Sequence, residues 1–518
     1  MNVRMTRALW VVACVFVASG CSGGGGSAAN DPPPDGTFTI TPAVIAPGGQ
    51  ATLHWEQAGA STCQAGGAWT GVQPVSGDLL VAPADDNVYT YTLSCTGPNG
   101  TTGHAVTLGV TPSAAKIKHV VVIFQENRTP DNLFHGLPGA DIANSGINSK
   151  GQVIPLEPEP LAIPYDLDHS HVAFVHMYDN GKMDGADKIY VACIPNTANC
   201  PPPNPQFKYV DPADVAPYFN MAERYTFADR MFQTNQGPSM PAHMFLISGT
   251  SAPSPDSPDF VSENPSHANE GSGCHAGPDV QVVLIDPLGK EGNPQYPCFE
   301  ERTLIDELDA AGLDWRYYAP FARSIWVSPN AIRHIALGPD FNKVIIPQTT
   351  VLQDIATGKL APVTWVMPSG RASDHAYGNN NEGPSWVSSI VNAIGNSAYW
   401  SDTAIFITWD DWGGWYDHVA PKIYNSYEYG FRVPLIVVSP YAKNAYVSHT
   451  THDFGSMLKF IEENFSLPSL GTADERADDL ADCFDFAQTP TPFQTVPSKF
   501  SAQYFLTDTR PPTPPDDD

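Results

Sequence analysis

The sequence predicts an α/β fold, a doubly wound and mostly parallel sheet with helices on both faces, preceded by a small β-sandwich. Between residues 36 and 112, short segments alternate apolar with polar residues and are separated by Gly, Asn and Pro turns, which is typical of strands with one buried face. After residue 112, continuous β-branched runs alternate with helical patterns. Such runs indicate parallel strands that helices bury on both faces. We therefore expect two folded parts in this chain of 518 residues.

The first 21 residues have the pattern of an export signal. Arg4 and Arg7 precede an apolar run over residues 8–18, and an Ala-Ser-Gly stretch then leads into Cys21 like a lipoprotein cleavage box. The apolar run is too short to span a bilayer. We expect cleavage before Cys21 and lipidation of its sulfur, which gives an exported lipoprotein anchored to a membrane and facing the periplasm or the cell exterior. The alternative is a plain signal peptide and a secreted protein.

Residues 22–35 are rich in Gly, Ser, Asn and Pro, a composition that predicts a flexible linker. Residues 36–112 predict the β-sandwich. Its clearest strands are 37–41, 51–55, 89–95 and 105–110. This pattern resembles that of immunoglobulin-like modules, and Cys63 and Cys95 are placed to join the two sheets. A spacer role is favoured over a ligand-binding role for this part, and both stay open.

Nine cysteines suit an oxidising compartment. Cys14 leaves with the signal peptide, and Cys21 is assigned to lipid. The spacing of the others predicts disulfides that leave Cys483 unpaired. The predicted pairs are Cys63 with Cys95, Cys193 with Cys200, and Cys274 with Cys298. The chain has no Cys-x-x-Cys pair, which argues against a thiolate zinc site.

The charge balance argues against nucleic acid as a partner. The chain has 55 acidic and 26 basic residues, a formal net charge of −29. Binding to a phosphate backbone needs concentrated Lys and Arg to replace its counterions. Any phosphate group that the chain binds must therefore be held at a local site.

Residues 115–505 predict the α/β domain. Its clearest strands are 119–124, 363–367, 403–409 and 433–438, and its clearest helices are 300–311, 385–394 and 453–465. The tail, 506–518, ends in Pro and Asp residues and is predicted to be disordered.

Polar residues follow two of the buried strands, where an open α/β sheet binds its ligand. Glu126 and Asn127 follow the first strand, and Asp410 and Asp411 follow the third. Three carboxylates cannot all be ionised at close range unless a cation lies between them. The pattern therefore predicts one divalent metal ion, and an all-oxygen set with one amide suits Mg²⁺, Ca²⁺ or Mn²⁺.

Ser239 lies between these strands in the chain, in a segment whose glycine and prolines restrict the backbone around one hydroxyl. Residues 235–243 are Asn-Gln-Gly-Pro-Ser-Met-Pro-Ala-His. A serine of ordinary pKa attacks poorly, and a divalent metal lowers that pKa as it does for water. We therefore predict Ser239 as a nucleophile that also contacts the metal.

Six blocks in a fixed order strengthen this interpretation. They are Glu126-Asn127-Arg128 with 131–134, 166–169 with 182–185, Ser239-x-Pro-x-His243, 297–299 with 303–304, Asp374-His375, and 409–414 with 417–419 and His449. With these blocks, the region from about 116 to 488 resembles the acid phosphatase and phospholipase C family of bacterial phosphoesterases. That family has an alkaline phosphatase-like fold.

The resemblance implies roles for particular residues. The implied metal ligands are Glu126, Asn127, Ser239, Asp410 and Asp411. The hydroxyl oxygen of Ser239 would attack phosphorus and become a phosphoserine. The implied catalytic histidines, which would contact phosphate oxygens or protonate the leaving group, are His169, His243 and His375. The implied substrate-binding or supporting residues are Asp417, His418 and His449. Related folds also take Zn²⁺, so the ion is one of four.

We therefore predict an exported, metal-dependent phosphoesterase that hydrolyses phosphate esters. An acid phosphatase is the first choice because the catalytic region is compact, and a phospholipase C acting on phospholipid head groups is the second. A sulfatase is disfavoured because its Cys-x-Pro-x-Arg motif is missing. A catalytically idle lipoprotein that adheres through its sandwich is the alternative from another class. The acidic cluster argues against that alternative, because buried acids without a metal only destabilise a fold.

Overall fold

The computed structural model describes residues 33–85, 87–111, 116–266, 271–376 and 380–513. The predicted signal peptide, with Cys14 and Cys21, lies outside the described residues, as does most of the predicted linker 22–35. Cleavage, lipidation and linker flexibility therefore stay predictions.

The chain divides into two compact units. The smaller comprises Met1–Thr39, His54–Leu79 and Thr90–Val106, and the larger comprises Ile40–Leu53, Leu80–Tyr89 and Thr107–Asp518. The predicted boundary near residue 112 thus lies inside the larger unit, which also includes three segments of the predicted sandwich, 40–53, 80–89 and 107–112. The predicted domain limits stay a prediction.

Eight N-terminal strands form two sheets. The strands are β1 (Asp35–Thr41), β2 (Val44–Ile45), β3 (Ala51–Ala58), β4 (Thr62–Gly67), β5 (Gly71–Gln73), β6 (Ser76–Val81), β7 (Asn87–Gly97) and β8 (Gly100–Val110). One sheet has the order β1-β3-β6 and the other the order β2-β8-β7-β4-β5. Buried and exposed residues alternate along β3, as predicted from its sequence. Phe38, Trp55 and Tyr91 pack around Trp69. The immunoglobulin-like classification stays a prediction.

The predicted disulfides are present: Cys63–Cys95, Cys193–Cys200 and Cys274–Cys298. Cys483 is unpaired and buried. The prediction that the first disulfide joins two sheets is wrong. Cys63 and Cys95 lie directly opposite each other on the neighbouring antiparallel strands β4 and β7, so the disulfide joins two strands of one sheet.

The α/β part is organised around an eight-stranded sheet. Its strands are β9 (His119–Gln125), β10 (Thr226–Ala228), β11 (Trp315–Tyr318), β12 (Val344–Ile345), β13 (Val363–Val366), β14 (Thr403–Trp409), β15 (Leu435–Val438) and β16 (Tyr446–Ser448). β9, β13, β14 and β15, which the sequence predicts most clearly, are almost entirely buried. Their continuous apolar runs reflect burial of both faces.

The order of this sheet is β12-β11-β13-β9-β14-β15-β10-β16. The pairs on either side of β15 are antiparallel, and the other pairs are parallel. The sheet is therefore mixed, with β15 running against the rest. An apolar run does not encode strand direction, so the sequence did not reveal this reversal. The doubly wound arrangement stays a prediction.

Helices and short strands connect the sheet. The α-helices are α1 (Pro130–Leu133), α2 (His171–Tyr178), α3 (Ala216–Arg224), α4 (Ser239–Ser248), α5 (Leu304–Ala310), α6 (Ser328–Ala331), α7 (Arg333–Ala336), α8 (Thr350–Ala356), α9 (Gly383–Gly395), α10 (Phe454–Phe465), α11 (Ala473–Arg476) and α12 (Ala502–Thr507). Short strands outside the main sheet are Ser145–Ile147, Val153–Pro155, Glu157–Glu159, Tyr165–Leu167, Val191–Cys193, Lys208–Val210, Met231–Phe232, Phe260–Val261, Val282–Ile285, Glu291–Gln295 and His452–Asp453. Among the described helices, none combines the length and apolarity needed to cross a membrane.

The predicted helices are present as α5, α9 and α10, with small shifts at their ends. Thr303 and Asp306 form a capping box at the start of α5, which explains why that helix begins later than predicted. Asp453 caps α10 in the same way.

The predicted disordered tail is in part ordered. Residues 508–513 follow α12 and hydrogen-bond to the α/β part through Arg510, Pro511 and Thr513. The Pro-rich composition misled the prediction because these bonds join residues that are far apart in the chain. Residues 514–518 lie outside the described residues.

The cap of α5 has a measurable effect on stability. Thr303→Ala removes the oxygen that accepts the Asp306 N–H, and we expect the free energy of unfolding to fall by about 1 kcal/mol. Thr303→Ser keeps the oxygen and is the matched control. Urea denaturation followed by circular dichroism measures both; equal stability of the two variants would contradict the capping role.

Candidate metal centre and active site

The register of two central strands brings the predicted acidic residues together. β9 and β14 are parallel, with Gln125 opposite Trp409 at their carboxyl ends. Glu126 and Asp410 are the next residues, and the Asp410 N–H donates to the Gln125 carbonyl at 3.0 Å. The side chains of Glu126, Asp410 and Asp411 have no exposed surface. Aligned strand ends thus place three acids at one edge of the sheet.

Asn127 and Gly413 shape the backbone at this edge. Asn127 has a φ of 63°, a region that asparagine tolerates better than most residues, and its N–H donates to Asp410 Oδ1 at 2.9 Å. Gly413 has a φ of 64°, and a Cβ there would collide with the backbone oxygen of Asn127. The Gly413 N–H donates to Asp411 Oδ1 at 2.7 Å. The glycine after the aspartate pair is therefore required by close approach.

Ser239 enters the acidic cluster from the beginning of α4. Its Oγ lies 3.4 Å from Glu126 Oε2 and 3.3 Å from Asp411 Oδ2, and the residue is 3% exposed. A Cβ at Gly237 would collide with the Tyr427 hydroxyl, so this approach to Ser239 requires glycine. The beginning of a helix carries partial positive charge, which favours an anionic oxygen or a phosphate. The predicted nucleophile is thus next to the predicted metal ligands.

His243 lies one turn further along α4 and faces the same cluster. Its Nε2 is 3.3 Å from Glu126 Oε1 and 3.9 Å from Asp410 Oδ2. The ring is fully buried and makes an edge-on contact with Phe124. Burial lowers the pKa of His243 to about 4, so the ring is neutral at physiological pH. A buried neutral imidazole suits contact with the metal or its ligands better than proton transfer to a leaving group.

The Asn127 amide and His169 indicate where a cation fits. Asn127 Nδ2 lies 2.9 Å from His169 Nε2, and His169 Nδ1 lies 2.8 Å from the Leu167 carbonyl. Nδ1 carries the proton because a carbonyl only accepts, and if the ring is neutral Nε2 accepts from Asn127. The Asn127 Oδ1 then faces Asp410 Oδ1 at 3.2 Å and Glu126 Oε2 at 3.1 Å. These three oxygen atoms all accept hydrogen bonds, so they repel one another unless a cation lies between them. If the Asn127 amide were turned round, its NH2 group would face the carboxylates, but its oxygen would then need a proton on His169 Nε2. Because Nδ1 already carries a proton, that His169 ring would be charged.

The charges of the cluster lead to the same conclusion. Burial raises the pKa of Glu126 well above its usual value, and the charge of Asp410 raises it further. Burial and Asp410 likewise raise the pKa of Asp411. Asp410 Oδ2 is buried without a hydrogen-bond partner among the described residues. Protons or a cation must therefore neutralise the cluster.

The donor set fits a divalent cation. Carboxylate and amide oxygens of Glu126, Asn127, Asp410 and Asp411 converge, and ligand atoms of Glu126, His243 and Asp410 lie within 4.8 Å of one another. Such oxygens suit Mg²⁺, Ca²⁺ or Mn²⁺, and the imidazole also admits Zn²⁺. The roles of the individual ligands stay predictions.

His375 lies next to His169. The two rings are 5.7 Å apart between centroids, and His375 Nε2 is 3.9 Å from Asp166 Oδ2. Both histidines are 3% exposed. The structure thus places the histidines of three separate blocks in and around one centre.

Sequence reasoning missed Arg128 as a residue that supports this centre. Arg128 is fully buried; its Nε donates to the Asp374 carbonyl at 2.8 Å, and its guanidinium lies over the Trp415 ring. The Asp374 carboxylate accepts hydrogen bonds from the Tyr218 hydroxyl and the Trp409 indole. Burial raises the pKa of Asp374 to about 6. Arg128 directly follows the strand-end pair, but nothing in the sequence indicates its burial.

Asp417 and His418 belong to a different network, centred on Arg432. Arg432 is fully buried, and its Nε donates to both oxygens of Asp417 at 3.0 Å while its Nη2 donates to Asp131 Oδ1 at 3.2 Å. His418 Nδ1 lies 2.8 Å from Asp131 Oδ2. Burial raises the pKa of Asp417 to about 6, and the charge of Arg432 opposes this shift. The guanidinium supplies the positive charge that this acidic group needs.

His449 contacts the periphery of the same network. Its Nδ1 lies 2.8 Å from Asp229 Oδ2, and the backbone carbonyl of Asp229 accepts from Arg432. The His449 side chain is 59% exposed. The described contacts of His449, like those of Asp417 and His418, lead to Arg432 and its aspartates and not to Ser239. The predicted substrate-binding or supporting role of these three residues stays a prediction.

Comparison with known families identifies the chain. The Phosphoesterase family model matches residues 117–468, more than half of the chain. The chain belongs to the Phosphoesterase family. The predicted family is thereby confirmed, and the phosphoesterase is a hydrolase that acts on phosphate esters.

Curated relatives are similar over most of the phosphoesterase. Phospholipase C B of Mycobacterium tuberculosis (strain CDC 1551 / Oshkosh) is 24% identical over 443 residues, covering 73% of this chain and 79% of that protein. Non-hemolytic phospholipase C of Pseudomonas aeruginosa is 24% identical over 450 residues, covering 74% of this chain and 60% of that protein. Among solved structures, a protein in the alkaline phosphatase superfamily from Vibrio parahaemolyticus matches with a TM-score of 0.31 and 11% identity, over 70% of each chain.

Removal of one carboxylate from the acidic cluster is expected to change the stability of the phosphoesterase in opposite directions without and with a bound metal ion. In metal-free protein, Glu126→Gln is expected to raise the unfolding temperature above that of the wild type, because it removes one of several buried like charges. Mn²⁺ at 100 times its dissociation constant would stabilise the wild type by about 2.7 kcal/mol. The variant should gain much less, since a ligand is lost.

Thermal unfolding with EDTA and with Mn²⁺ measures both effects. Glu223→Gln, an exposed residue of α3, is the matched control and should behave as the wild type does. If Mn²⁺ stabilises Glu126→Gln as much as the wild type, Glu126 is not a ligand.

The Arg432 network is expected to affect stability more than turnover. Arg432→Met leaves Asp131 and Asp417 buried without their counter-charge, and we expect a loss of about 3–5 kcal/mol. His449→Ala should change stability by less than about 0.5 kcal/mol, because the side chain is largely exposed. Its turnover number should stay within about twofold of the wild type. A large drop in turnover with unchanged stability in His449→Ala would support a substrate-binding role. Denaturation curves and steady-state kinetics give the two readouts.

Proposed function

We propose that this phosphoesterase cleaves its ester with Ser239 as nucleophile, assisted by one divalent ion at the acidic cluster. One observation carries the proposal: Ser239 Oγ lies 3.4 Å and 3.3 Å from the carboxylates of Glu126 and Asp411, at the beginning of a buried helix. A serine with only a structural role would not require its hydroxyl to lie beside two buried carboxylates. The arrangement suits a hydroxyl that must lose its proton.

The reaction follows from this arrangement. The Ser239 hydroxyl gives up its proton, with Glu126 and Asp411 as the nearest acceptors, and its oxygen attacks phosphorus. The bond from phosphorus to the alcohol oxygen breaks, and a phosphoserine forms. Water then gives up a proton and attacks the same phosphorus, the bond to Ser239 breaks, the serine oxygen regains the proton that it lost in the first step, and the phosphate product leaves. The N-terminal end of α4 stabilises the negative charge in both steps.

The cation and its ligands complete this picture. Glu126, Asn127, Asp410 and Asp411 would hold the ion, which when bound stabilises negative charge on the serine and phosphate oxygens. The hydrogen bond from Asn127 Nδ2 to His169 directs the amide oxygen into the cluster.

We assign protonation of the leaving alcohol to His375. His243 is buried against Glu126, and both nitrogens of His169 are occupied by Asn127 and the Leu167 carbonyl. His375 lies beside them, and the Asp166 carboxylate at 3.9 Å can orient its protonated ring. A histidine is suited to this step because its pKa lies near neutrality.

Phospholipids are the leading proposed substrates. The named relatives are phospholipases C, and their similarity extends over about three quarters of this chain. Phosphomonoesters, the first choice from sequence, remain the second candidate, because the same residues can act on either ester; a phospholipid is a diester and keeps its head group on phosphorus, whereas a phosphomonoester carries no second substituent. The three disulfides agree with an oxidising compartment, and we propose that Cys21 anchors the enzyme to a membrane outside the cytoplasm.

Replacing the nucleophile tests the mechanism. Ser239→Ala should lower the turnover number by about 10³-fold or more, because no other group can form the phosphoserine. The assays use a phosphatidylcholine analogue and a chromogenic phosphomonoester, each with and without chelator. An acid quench during turnover, followed by mass spectrometry, should detect a phosphoryl group on the Ser239 peptide of the wild type.

Ser248→Ala is the matched control, since Ser248 lies on the same helix and donates to the Met244 carbonyl. It should keep its activity within about threefold. Equal, chelator-insensitive rates for the wild type and Ser239→Ala would reject the mechanism. No turnover of any ester by the wild type would favour the idle binding lipoprotein.

A further inference from the structure

The loop that carries His375 is held at both ends by the C-terminal segment. This loop, residues 370–382, connects β13 to α9 and is called here the His375 loop; the structure describes residues 370–376 and 380–382 of it. The C-terminal segment, residues 502–513, consists of α12 and the residues after it and is called here the strap. Sequence composition predicts a disordered tail for much of it, yet it makes specific polar contacts.

The first end of the loop contacts the last described residues of the strap. The Arg371 N–H donates to Thr513 Oγ1 at 2.8 Å, and the Arg371 guanidinium donates to the Pro511 carbonyl at 2.8 Å. The Gly370 N–H donates to the Thr513 carbonyl at 3.3 Å. Two backbone donors and one side chain of the loop are thus satisfied by the strap.

The second end of the loop contacts Glu382. Its Oε1 accepts from the Tyr504 hydroxyl at 2.8 Å and from Arg510 Nη2 at 3.0 Å. Glu382 is 3% exposed, although it is an acid. Phe505 of α12 packs edge-on against Trp386 in the first turns of α9. The strap therefore reaches both sides of the loop.

One described residue of the loop, Ala372, contacts the end of β9 beside the centre. The Asn380 N–H donates to the Arg371 carbonyl and closes the base of the loop. Between these points, the Ala372 carbonyl accepts from Gln125, the residue before Glu126. His375 therefore lies in a loop that contacts the strap through Arg371 and the end of β9 through Ala372.

We propose that the strap positions His375 for proton transfer to the leaving alcohol, through Arg371 at one end of the loop and Glu382 at the other. This inference rests on the proposed role of His375. Arg371, Glu382 and Arg510 are positioning residues, since none of their described contacts reaches Ser239 or the acidic cluster. Arg510 is 44% exposed, and Glu382 keeps its hydrogen bond from Tyr504 when Arg510 is lost, so loss of these contacts should loosen the loop without unfolding the domain.

A chain that ends at Thr507 tests the proposal. For an alkyl phosphate ester, whose alcohol must be protonated as it leaves, its turnover number should fall about 10-fold, a part of what general acid catalysis contributes. For a p-nitrophenyl ester, whose leaving group needs no proton, the drop should stay below about twofold. Arg510→Gln should show the same difference between esters in weaker form. A uniform loss on both esters would overturn the proposal.

Two control proteins test whether the expected effects arise from loss of the strap contacts. A chain that ends at Thr513 keeps every described contact of the strap and should behave as the full chain does. Arg316→Gln matches Arg510→Gln, because each arginine bonds an aspartate two residues earlier, Asp314 and Asp508 respectively. A leaving-group effect in Arg316→Gln equal to that in Arg510→Gln would also overturn the proposal.

A double-mutant cycle links the strap to His375. In a His375→Ala background, truncation at Thr507 should cause no further loss on the alkyl ester, because the positioned group is absent. Additive losses would show that the strap acts elsewhere.

Proteolysis distinguishes failure of this proposal from failure of the proposed function. Trypsin should cut after Arg371 faster in the truncated chain than in the full chain, whether or not any ester is hydrolysed. Equal rates of tryptic cleavage in the truncated and full chains would overturn the proposal that the strap holds the loop. If the truncated chain is cut faster but the wild type hydrolyses no ester, only the proposed chemistry is refuted.

Discussion

The repulsion among buried acids is the constraint on which the centre depends. Glu126, Asp410 and Asp411 are held without solvent at the ends of two neighbouring strands, with the Asn127 amide turned towards them. Protonation of a carboxyl or a bound cation is needed to satisfy so many acceptors at once. The surrounding groups, a helix terminus and a neutral His243, are compatible with one added positive charge. Such a set of buried acids is unfavourable by itself, and a bound cation would offset the repulsion.

Much of this centre was predictable because its determinants are local in sequence. A buried strand is recognisable from its apolar run, and the polar residues after it must lie at the ligand-binding edge of the sheet. Glu126 and Asp410 are found in this way, and their proximity then follows from pairing of the two strands in register. Ser239 needed a different signal, since only the glycine and prolines around it distinguish it from other loop serines.

The remainder depends on contacts between residues that are distant in the chain. Arg128 and Arg432 carry charges that usually stay at the surface, and no periodicity indicates that carbonyls and aspartates will bury them. Asp417 and His418 look like part of the active site because they follow the aspartate pair closely in sequence, yet Arg432 draws them into a separate network. The direction of β15 and the sheet partners of Cys63 are likewise set by tertiary pairing, which composition does not encode.

The pairing of β9 with β14 also determines where the chain tolerates change in length. Asn127 and Asp410 are 283 residues apart and meet only at the ends of these strands. Residues added to the intervening loops leave the alignment intact, whereas one residue inserted within either strand would turn its side chains to the opposite face. Relatives are therefore free to differ in their connecting segments while keeping the same centre. Changes of length in those segments that leave both strands and the residues of the centre untouched are accordingly the safest route to enzymes with new substrate ranges.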